Sequence, residues 1–172
     1  MIHLITTCSK SKTTSSGNTV FPYSIGDIDI AMSAWRTLVL KPCQELVTSQ
    51  LYLGMHWSRA IEVALRHKKQ VELWVLSAGL GLRHVTDPSV PYEATFSSMS
   101  FSASDIWQKL TESPPLPGRF TSLLHLMLTH PDDTYVVAGS PVYLNAVEAD
   151  LMAGTAMLKN ASQQLQIVTS KA

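Results

Sequence analysis

The chain has 172 residues, 45% of them hydrophobic, which supplies one sizeable core but leaves too few residues for a second full domain. Lysine plus arginine and aspartate plus glutamate both number 13, so the formal net charge is zero and no overall field draws the protein to nucleic acid or anionic lipid. We therefore expect one domain over residues 1–172, with any nucleic-acid contact confined to a local site.

Cysteine content and the N-terminus indicate a reducing compartment. The two cysteines, Cys8 and Cys43, do not form the framework of a small secreted module. No signal peptide is evident, and no run approaches the ~18 apolar residues that a membrane span needs. We expect a cytoplasmic protein with no membrane partner.

The first half of the chain predicts two strands and up to three helices. A short β-rich run over residues 2–7 predicts a buried strand, and a Ser/Gly/Pro-rich stretch over 13–29 predicts a long surface loop. A helix is expected over 31–40, with a break at Pro42 before a second short helix. The apolar spacing over 56–65 predicts an amphipathic helix, and the continuous apolar run over 71–76 predicts a strand buried on both faces.

The second half continues the alternation of strands and helices. The predicted elements, in chain order, are a helix over 104–111, a Pro-rich loop over 113–118, a helix over 120–129, a strand over 135–138, a helix over 142–151 and a strand over 165–168. This alternation predicts an α/β fold: a single three-layer domain with a mostly parallel sheet of four to five strands flanked by helices. Ligands bind such sheets at the carboxyl ends of the strands. We therefore expect three strand-to-helix turns, at 8–12, 77–83 and 140–143, to converge on one polar ligand site.

The first turn has the composition of an anion site. Ser9 offers a hydroxyl, and Lys10 and Lys12 offer positive charge for a phosphate or carboxylate. The turn lacks the glycine spacing of a P-loop, which argues against nucleoside triphosphate hydrolysis. An ordinary solvated loop is the alternative interpretation.

Cys8 has two interpretations of its own. A thiol beside two lysines is a candidate nucleophile, and we count Cys8 among the candidate catalytic residues. A free cysteine at the end of a buried strand is also commonly a small apolar residue, here one that lines the ligand.

The second turn carries Ser77, Gly79 and Gly81, which we expect to bind ligand because glycines allow close backbone approach and the serine places a hydroxyl at the strand end. No third glycine opens a following helix, so a nicotinamide-dinucleotide site is rejected. His84 follows this turn and is the one histidine that we consider for catalysis.

The proline-braced loop over residues 87–96 combines carboxylates with aromatic rings. Asp87 and Glu93 are candidate general acids or bases, and Tyr92 or Phe96 is a candidate platform for a nucleobase. Each ring is equally compatible with a place in the core.

The third turn places Ser140 and Tyr143 at the start of a helix. Helix N-termini bind anions, so both residues are predicted to bind ligand, although N-capping alone would explain Ser140. The six histidines show no zinc-type spacing with a cysteine, and we expect neither a metal nor a cofactor.

Four segments in order carry a family resemblance: Cys8-Ser9-Lys10-Ser11-Lys12, Leu51-Tyr52-Leu53-Gly54, Leu76-Ser77-Ala78-Gly79-Leu80-Gly81-Leu82 and Pro91-Tyr92. The pattern resembles small bacterial and phage proteins found near 7-deazaguanine DNA-modification genes (DUF6884-like). It is distantly similar to the peroxide-stress YaaA family and to the lysine-transferring domain of archaeosine synthase. The resemblance implies work on nucleic acid or a modified nucleobase, with the first two turns at the site.

The leading hypothesis is an enzyme acting at a nucleobase or its N-glycosidic bond, in nucleic-acid modification or phage defence. Its partner would be a nucleotide, nucleobase or nucleic acid, held by Lys10, Lys12 and Ser140. The alternatives are a non-catalytic nucleotide- or nucleic-acid-binding module that works with a protein partner in a complex, and a small-molecule sensor that uses the same residues.

Overall fold

A computed structural model describes residues 1–41 and 45–170 of the chain. The strands are β1 (Ile2–Thr7), β2 (Leu46–Val47), β3 (Val71–Ser77), β4 (Gly81–His84), β5 (Pro88–Ser89), β6 (Thr134–Ala138) and β7 (Leu165–Val168). The helices are α1 (Ile28–Leu40), α2 (Met55–Arg66), α3 (Ala103–Glu112), α4 (Leu123–Thr129), α5 (Pro141–Thr155) and α6 (Ala161–Gln164). Short 3₁₀ turns lie at Thr48–Gln50 and Phe96–Ser98.

The central sheet confirms the predicted α/β class. Its strand order is β4-β3-β1-β6-β7, and every neighbouring pair is parallel except β3 with β4. The middle strand, β1, places Ile5 between Trp74 of β3 and Val137 of β6, and all three side chains are buried. Strands this apolar are the ones that helices cover on both faces.

The helices enclose the sheet as two outer layers. The chain reaches β3 from β1 through α2 and reaches β7 from β6 through α5, in opposite directions along the sheet. Because such crossovers are right-handed, α2 and α5 lie on opposite faces. Helices α3 and α4 pack against α5. No helix among the described residues is long and apolar enough to cross a membrane.

Local sequence signals set the helix ends. The Asp27 carboxylate accepts a hydrogen bond from the Ile30 amide and caps α1, as Ser102 does for α3 with the Asp105 amide. Helix α4 begins at Leu123 instead of residue 120, because Ser122 caps it through the His125 amide. The start of α4 is therefore set by a capping serine.

The segment after α1 does not form the expected second helix. Pro42 and Cys43 lie outside the described residues, and the chain from Glu45 onward forms β2 and a 3₁₀ turn instead. Strand β2 pairs with β5, so its backbone hydrogen bonds are made to a strand distant in sequence.

The two predicted loops both lack regular structure over most of their length, but they are held against the core. In the first loop Phe21 is buried, and its amide donates to the Glu93 carbonyl. In the Pro-rich loop, the Arg83 guanidinium donates to the carbonyls of Leu116 and Pro117. Helix α1 begins at Ile28, so the first loop ends slightly earlier than predicted.

The turn after β3 is not a strand-to-helix turn. Three residues connect β3 to the antiparallel β4, and Gly81 has a φ of +80°, a conformation that favours glycine. The Trp35 indole of α1 donates to the Gly79 carbonyl at 2.7 Å and covers the hairpin. The prediction that three strand-to-helix turns converge on one ligand site is therefore wrong for the turn at 77–83, because this turn is a hairpin that faces the core.

Candidate functional site

A pocket opens at the carboxyl ends of β1 and β6, where the chain leaves these neighbouring strands toward opposite sides of the sheet. Ligands of open α/β sheets bind at this kind of crevice. The cavity has a volume of about 250 Å³. Its lining residues are Cys8, Ser9, Lys10, Lys12, Ala94, Thr95, Phe96, Ser97, Ser140, Val142 and Tyr143.

The turn after β1 is closed by its own hydrogen bonds. The Cys8 amide donates to the Leu76 carbonyl of β3, which holds the start of the turn against the sheet. The Ser9 hydroxyl lies 2.8 Å from the carbonyl oxygens of both Ser11 and Leu53 and donates to them. These bonds direct the Ser9 hydroxyl proton at the protein, and the exposed Lys10 is left to face solvent at the rim.

Lys12 lies over the floor of the pocket. Its ammonium donates to the Ser9 carbonyl at 3.0 Å and lies 4.7 Å from the centre of the Tyr92 ring, within cation–π range. Burial lowers the pKa of Lys12, and the neighbouring Cys8 and Glu93 oppose that shift. Lys12 therefore both fixes the turn and brings a partly desolvated cation to the ligand.

Cys8 and Tyr143 form a thiol–phenol pair at one wall. The Cys8 sulfur and the Tyr143 hydroxyl oxygen are 2.9 Å apart, and either group can donate. Burial, followed by the nearby Cys8, raises the pKa of Tyr143 well above its usual range. Tyr143 therefore remains a neutral phenol at neutral pH, able to form a hydrogen bond with the sulfur.

The N-terminus of α5 adds a second anion-binding group. Ser140 is the N-cap residue, yet its side chain makes no capping bond and is exposed. Pro141 occupies the first helical position, and the Leu144 amide makes the first bond back to the Ser140 carbonyl. The amides of Val142 and Tyr143 precede that bond, so they point outward as helix N-terminal donors.

The remaining lining residues are uncharged: Ala94, Thr95, Phe96, Ser97 and Val142. Phe96 packs edge-to-face on Tyr143 with ring centres 5.3 Å apart, and Val142 is exposed beside them. The lining residues include no aspartate, glutamate or histidine. The arrangement suits a guest with an anionic group at one end and an uncharged group at the other.

The chain matches no family model, no curated protein and no solved structure. The residues of the pocket therefore carry the functional inference.

Two predicted ligand-binding residues are structural: Ser77 of the second turn and Tyr92 of the proline-braced loop. Ser77 is fully buried, and its hydroxyl oxygen accepts from the amides of Leu80 and Gly79 while bonding the Tyr92 hydroxyl. Tyr92 is 1% exposed and also bonds the Tyr52 hydroxyl at 2.7 Å. The expectation that Ser77 and Tyr92 contact ligand is wrong, because both side chains are enclosed beneath the pocket.

The glycines of that turn serve packing. A Cβ atom at Gly79 would lie 2.9 Å from two ring carbons of Tyr92, so glycine there admits the tyrosine ring and not a ligand. Gly81 is buried against Leu110 of α3. The expectation that Gly79 and Gly81 approach a ligand is wrong for the same reason.

Asp87 and His84 lie at the opposite edge of the sheet. Strand β4 runs antiparallel to β3, so it carries the chain back toward the amino ends of the parallel strands. Asp87 is 4% exposed, and its carboxylate accepts from the amides of His84 and Arg119. The imidazole of His84 is buried between Glu72 and Thr86. The prediction that Asp87 acts at this site is wrong, and His84 is equally remote.

Glu93 lies nearer but does not line the pocket. Both of its carboxylate oxygens lie 2.9 Å from the Tyr23 hydroxyl, which donates to them. The Glu93 amide also donates to the Thr19 carbonyl, which secures the long loop. Its charge acts to raise the pKa of Lys12, and the proposed direct catalytic role lacks a geometric basis.

Sequence reasoning missed Thr95 and Ser97. Both line the pocket from the 3₁₀ turn after the proline-braced loop. Their proximity to Cys8 depends on the hairpin and on the bridge between Val20 and Glu93, neither of which has a local signal. The residues predicted in the first and third turns, in contrast, do meet in one cavity.

Proposed function

We propose that the protein binds a nucleotide through its phosphate in this pocket and acts at the base or its N-glycosidic bond, in nucleic-acid modification or phage defence. The observation that carries the proposal is that Lys10, Lys12 and the uncapped N-terminus of α5 share one cavity, whose other lining residues are uncharged. The family resemblance adds the nucleobase to the ligand class.

The pocket gives each part of a nucleotide a place. A phosphate at the α5 N-terminus receives amide and hydroxyl hydrogen bonds there and the charge of Lys10 from the rim. The base then lies toward Phe96 and Val142. A cavity of about 250 Å³ is at the small end of ligand sites, which favours a single nucleotide unit over an enclosed duplex.

Chemistry at the bound base would fall to Cys8 and Tyr143. The Cys8 sulfur is the nucleophile of the pocket: it would bond to C1′ of the sugar as the N-glycosidic bond breaks, and the thiol proton would leave with the departing base, while the Tyr143 hydroxyl 2.9 Å away hydrogen-bonds the sulfur. This pair takes the role first given to Asp87 and Glu93.

Isothermal titration calorimetry with AMP, adenosine, ribose 5-phosphate and adenine tests the proposal. AMP should bind more tightly than adenosine, and ribose 5-phosphate should bind where adenine does not. Lys10→Met should weaken AMP binding about tenfold, the loss of one charge-assisted contact. Lys69→Met, which removes an exposed lysine before β3, is the matched control. Equal affinity for AMP and adenosine would reject the phosphate site.

The absence of a carboxylate or imidazole from the lining residues supports a second candidate, a non-catalytic nucleotide- or nucleic-acid-binding module. A module needs only the phosphate site and the uncharged residues beside it. Mass spectrometry of nucleotides and short DNA after prolonged incubation separates the candidates: an altered base or released base identifies the enzyme, and tight binding with unchanged ligand identifies the module.

A further inference from the structure

A second concavity lies at the opposite edge of the sheet from the nucleotide pocket. It is a groove of about 440 Å³ between α2 and the start of β3, where the chain emerges from β4. Its lining residues are Ser49, Ile61, Ala64, Leu65, Lys68, Val71, Glu72, Leu73, Val85 and Thr86. Six of these ten are aliphatic.

One wall of the groove is formed by α2 and the turn that follows it. Ile61, Ala64, Leu65 and Lys68 follow the i, i+3, i+4, i+7 spacing of a single helical face. Leu65 is 68% exposed, and Ile61 and Ala64 are only partly buried. An apolar helical face beside an aliphatic groove is the geometry that receives an amphipathic helix.

The charge around the groove is positive. Lys68 lines it, and Lys69 lies beside it on a shelf formed by residues 65–70. Within the described residues no ion pair involves Lys68 or Lys69. The negative charge of Glu72, the acidic residue of the groove, is already balanced by a neighbouring basic side chain.

The charge of Glu72 is opposed by Arg119. The Arg119 guanidinium lies 3.8 Å from the Glu72 carboxylate, which the His84 imidazole also hydrogen-bonds. The net field at the mouth of the groove therefore comes from the lysines and attracts carboxylates.

We propose that this groove binds an acidic amphipathic helix of a partner protein. Apolar side chains of that helix enter between α2 and β3, and its carboxylates pair with Lys68 and Lys69. The groove and the nucleotide pocket lie at opposite edges of the sheet, so a partner bound here leaves the pocket open. The inference does not depend on the function proposed for the pocket.

Fluorescence anisotropy with two labelled synthetic peptides of about 16 residues tests the groove. Both have leucine at one helical face; one has glutamate on its flanks and the other has lysine. The glutamate peptide should bind the full chain and the lysine peptide should not. Lys68→Glu should weaken the glutamate peptide about tenfold, the loss of one favourable charge pair. Lys41→Glu, at an exposed position after α1, is the charge control.

Two substitutions in the groove separate binding from folding. Ala64→Trp fills the cavity and should abolish binding, while Ala156→Trp at the exposed end of α5 should not. Leu65→Asp places a carboxylate at an exposed position, where it should repel the glutamate peptide without disturbing the fold. The circular dichroism spectrum of this variant should match that of the wild type.

Three results would overturn the inference. One is no binding of the glutamate peptide at about 1 mM. Another is binding that persists unchanged in Ala64→Trp and Leu65→Asp. The third is a wild-type dimer in sedimentation that Leu65→Asp dissociates, which would assign the groove to a second copy of this chain.

Discussion

The sulfur of Cys8 and the hydroxyl oxygen of Tyr143 lie 2.9 Å apart, although 135 positions separate the two residues in sequence. Cys8 directly follows the central strand and Tyr143 lies in the first turn of α5, so the pair marks the crevice between β1 and β6. A ligand held there covers the thiol.

Ligand protection of Cys8 follows from this placement. In the Cys43→Ser variant, iodoacetamide alkylation reports on Cys8 alone. AMP at about ten times its Kd should slow alkylation about tenfold, because only the unoccupied protein reacts. Adenine at the same concentration serves as the control. An alkylation rate that AMP leaves unchanged would remove the thiol from the binding site.

Lys10 and Lys12 should differ in what they stabilise. Lys12→Met removes a hydrogen bond to the Ser9 carbonyl and a cation over the Tyr92 ring, so it should lower the free energy of unfolding by about 1 kcal/mol as well as weaken AMP binding. Lys10→Met should weaken binding alone, because Lys10 is exposed at the rim. Urea denaturation and calorimetry on both variants make the comparison; equal stability losses would contradict it.

Gly79→Ala should destabilise the fold. The new Cβ atom would lie 2.9 Å from ring carbons of Tyr92 and 3.0 Å from the Ala94 Cβ atom, and Tyr92 is fixed by its hydroxyl bonds. We expect a loss of about 1–3 kcal/mol in urea denaturation, typical of overpacking. Gly26→Ala is the matched control, since nothing lies within 4 Å of its Cβ position. Equal stability of the two variants would show that the Tyr92 ring can shift to accommodate the new Cβ atom.

Ser77→Ala should also lower stability. The serine oxygen accepts from the Leu80 amide at 3.0 Å in a fully buried site, so its removal leaves that amide and the Tyr92 hydroxyl short of a partner. The expected cost is about 1–3 kcal/mol. Ser58→Ala on the exposed side of α2 should change stability little. AMP affinity should survive in Ser77→Ala, measured below its melting temperature, because this hydroxyl does not reach the pocket.

Stability should fall as the pH drops below about 6.5, in part because of His3. The Trp74 indole donates to the His3 Nδ1 atom, and the Nε2 atom lies 2.8 Å from the Asp133 carboxylate, so the buried ring is neutral with its proton on Nε2. Burial lowers the pKa of His3 below its ordinary value of 6.5, and the nearby His130 lowers it further. Asp133 and Glu72 act in the opposite direction. The unfolded chain therefore binds the proton more tightly, and acid favours unfolding.

The slope of stability against pH measures this contribution. Each such histidine adds up to about 1.4 kcal/mol per pH unit below 6.5 until its folded pKa is reached. Burial also lowers the pKa of His84, which contributes in the same direction. Urea denaturation between about pH 5.5 and about pH 7.5 gives the free energy of unfolding as a function of pH. The slope of that free energy against pH should be shallower for His3→Gln than for the wild type. An identical slope would mean that His3 titrates normally.

The candidate site was predictable only where the chain leaves the parallel strands directly. The turns after β1 and β6 are contiguous in sequence, so Lys10, Lys12 and Ser140 could be assigned from the end of an apolar run. Asp87 and Tyr92 could not be assigned this way. Nothing local distinguishes a hairpin at Gly79–Gly81 from a strand-to-helix turn, and that difference sends Asp87 to the far edge and buries Tyr92.

The amino-acid sequence by itself determined the α/β class, the central apolar strands and most of the helices, because hydrophobic periodicity and capping residues act within a few positions. Tertiary structure alone decided that β4 runs antiparallel, that Thr95 and Ser97 join the pocket, and that Cys8 meets Tyr143. These contacts depend on which distant segments pack together to bury the apolar surface, and the packing of a whole core has no local signal.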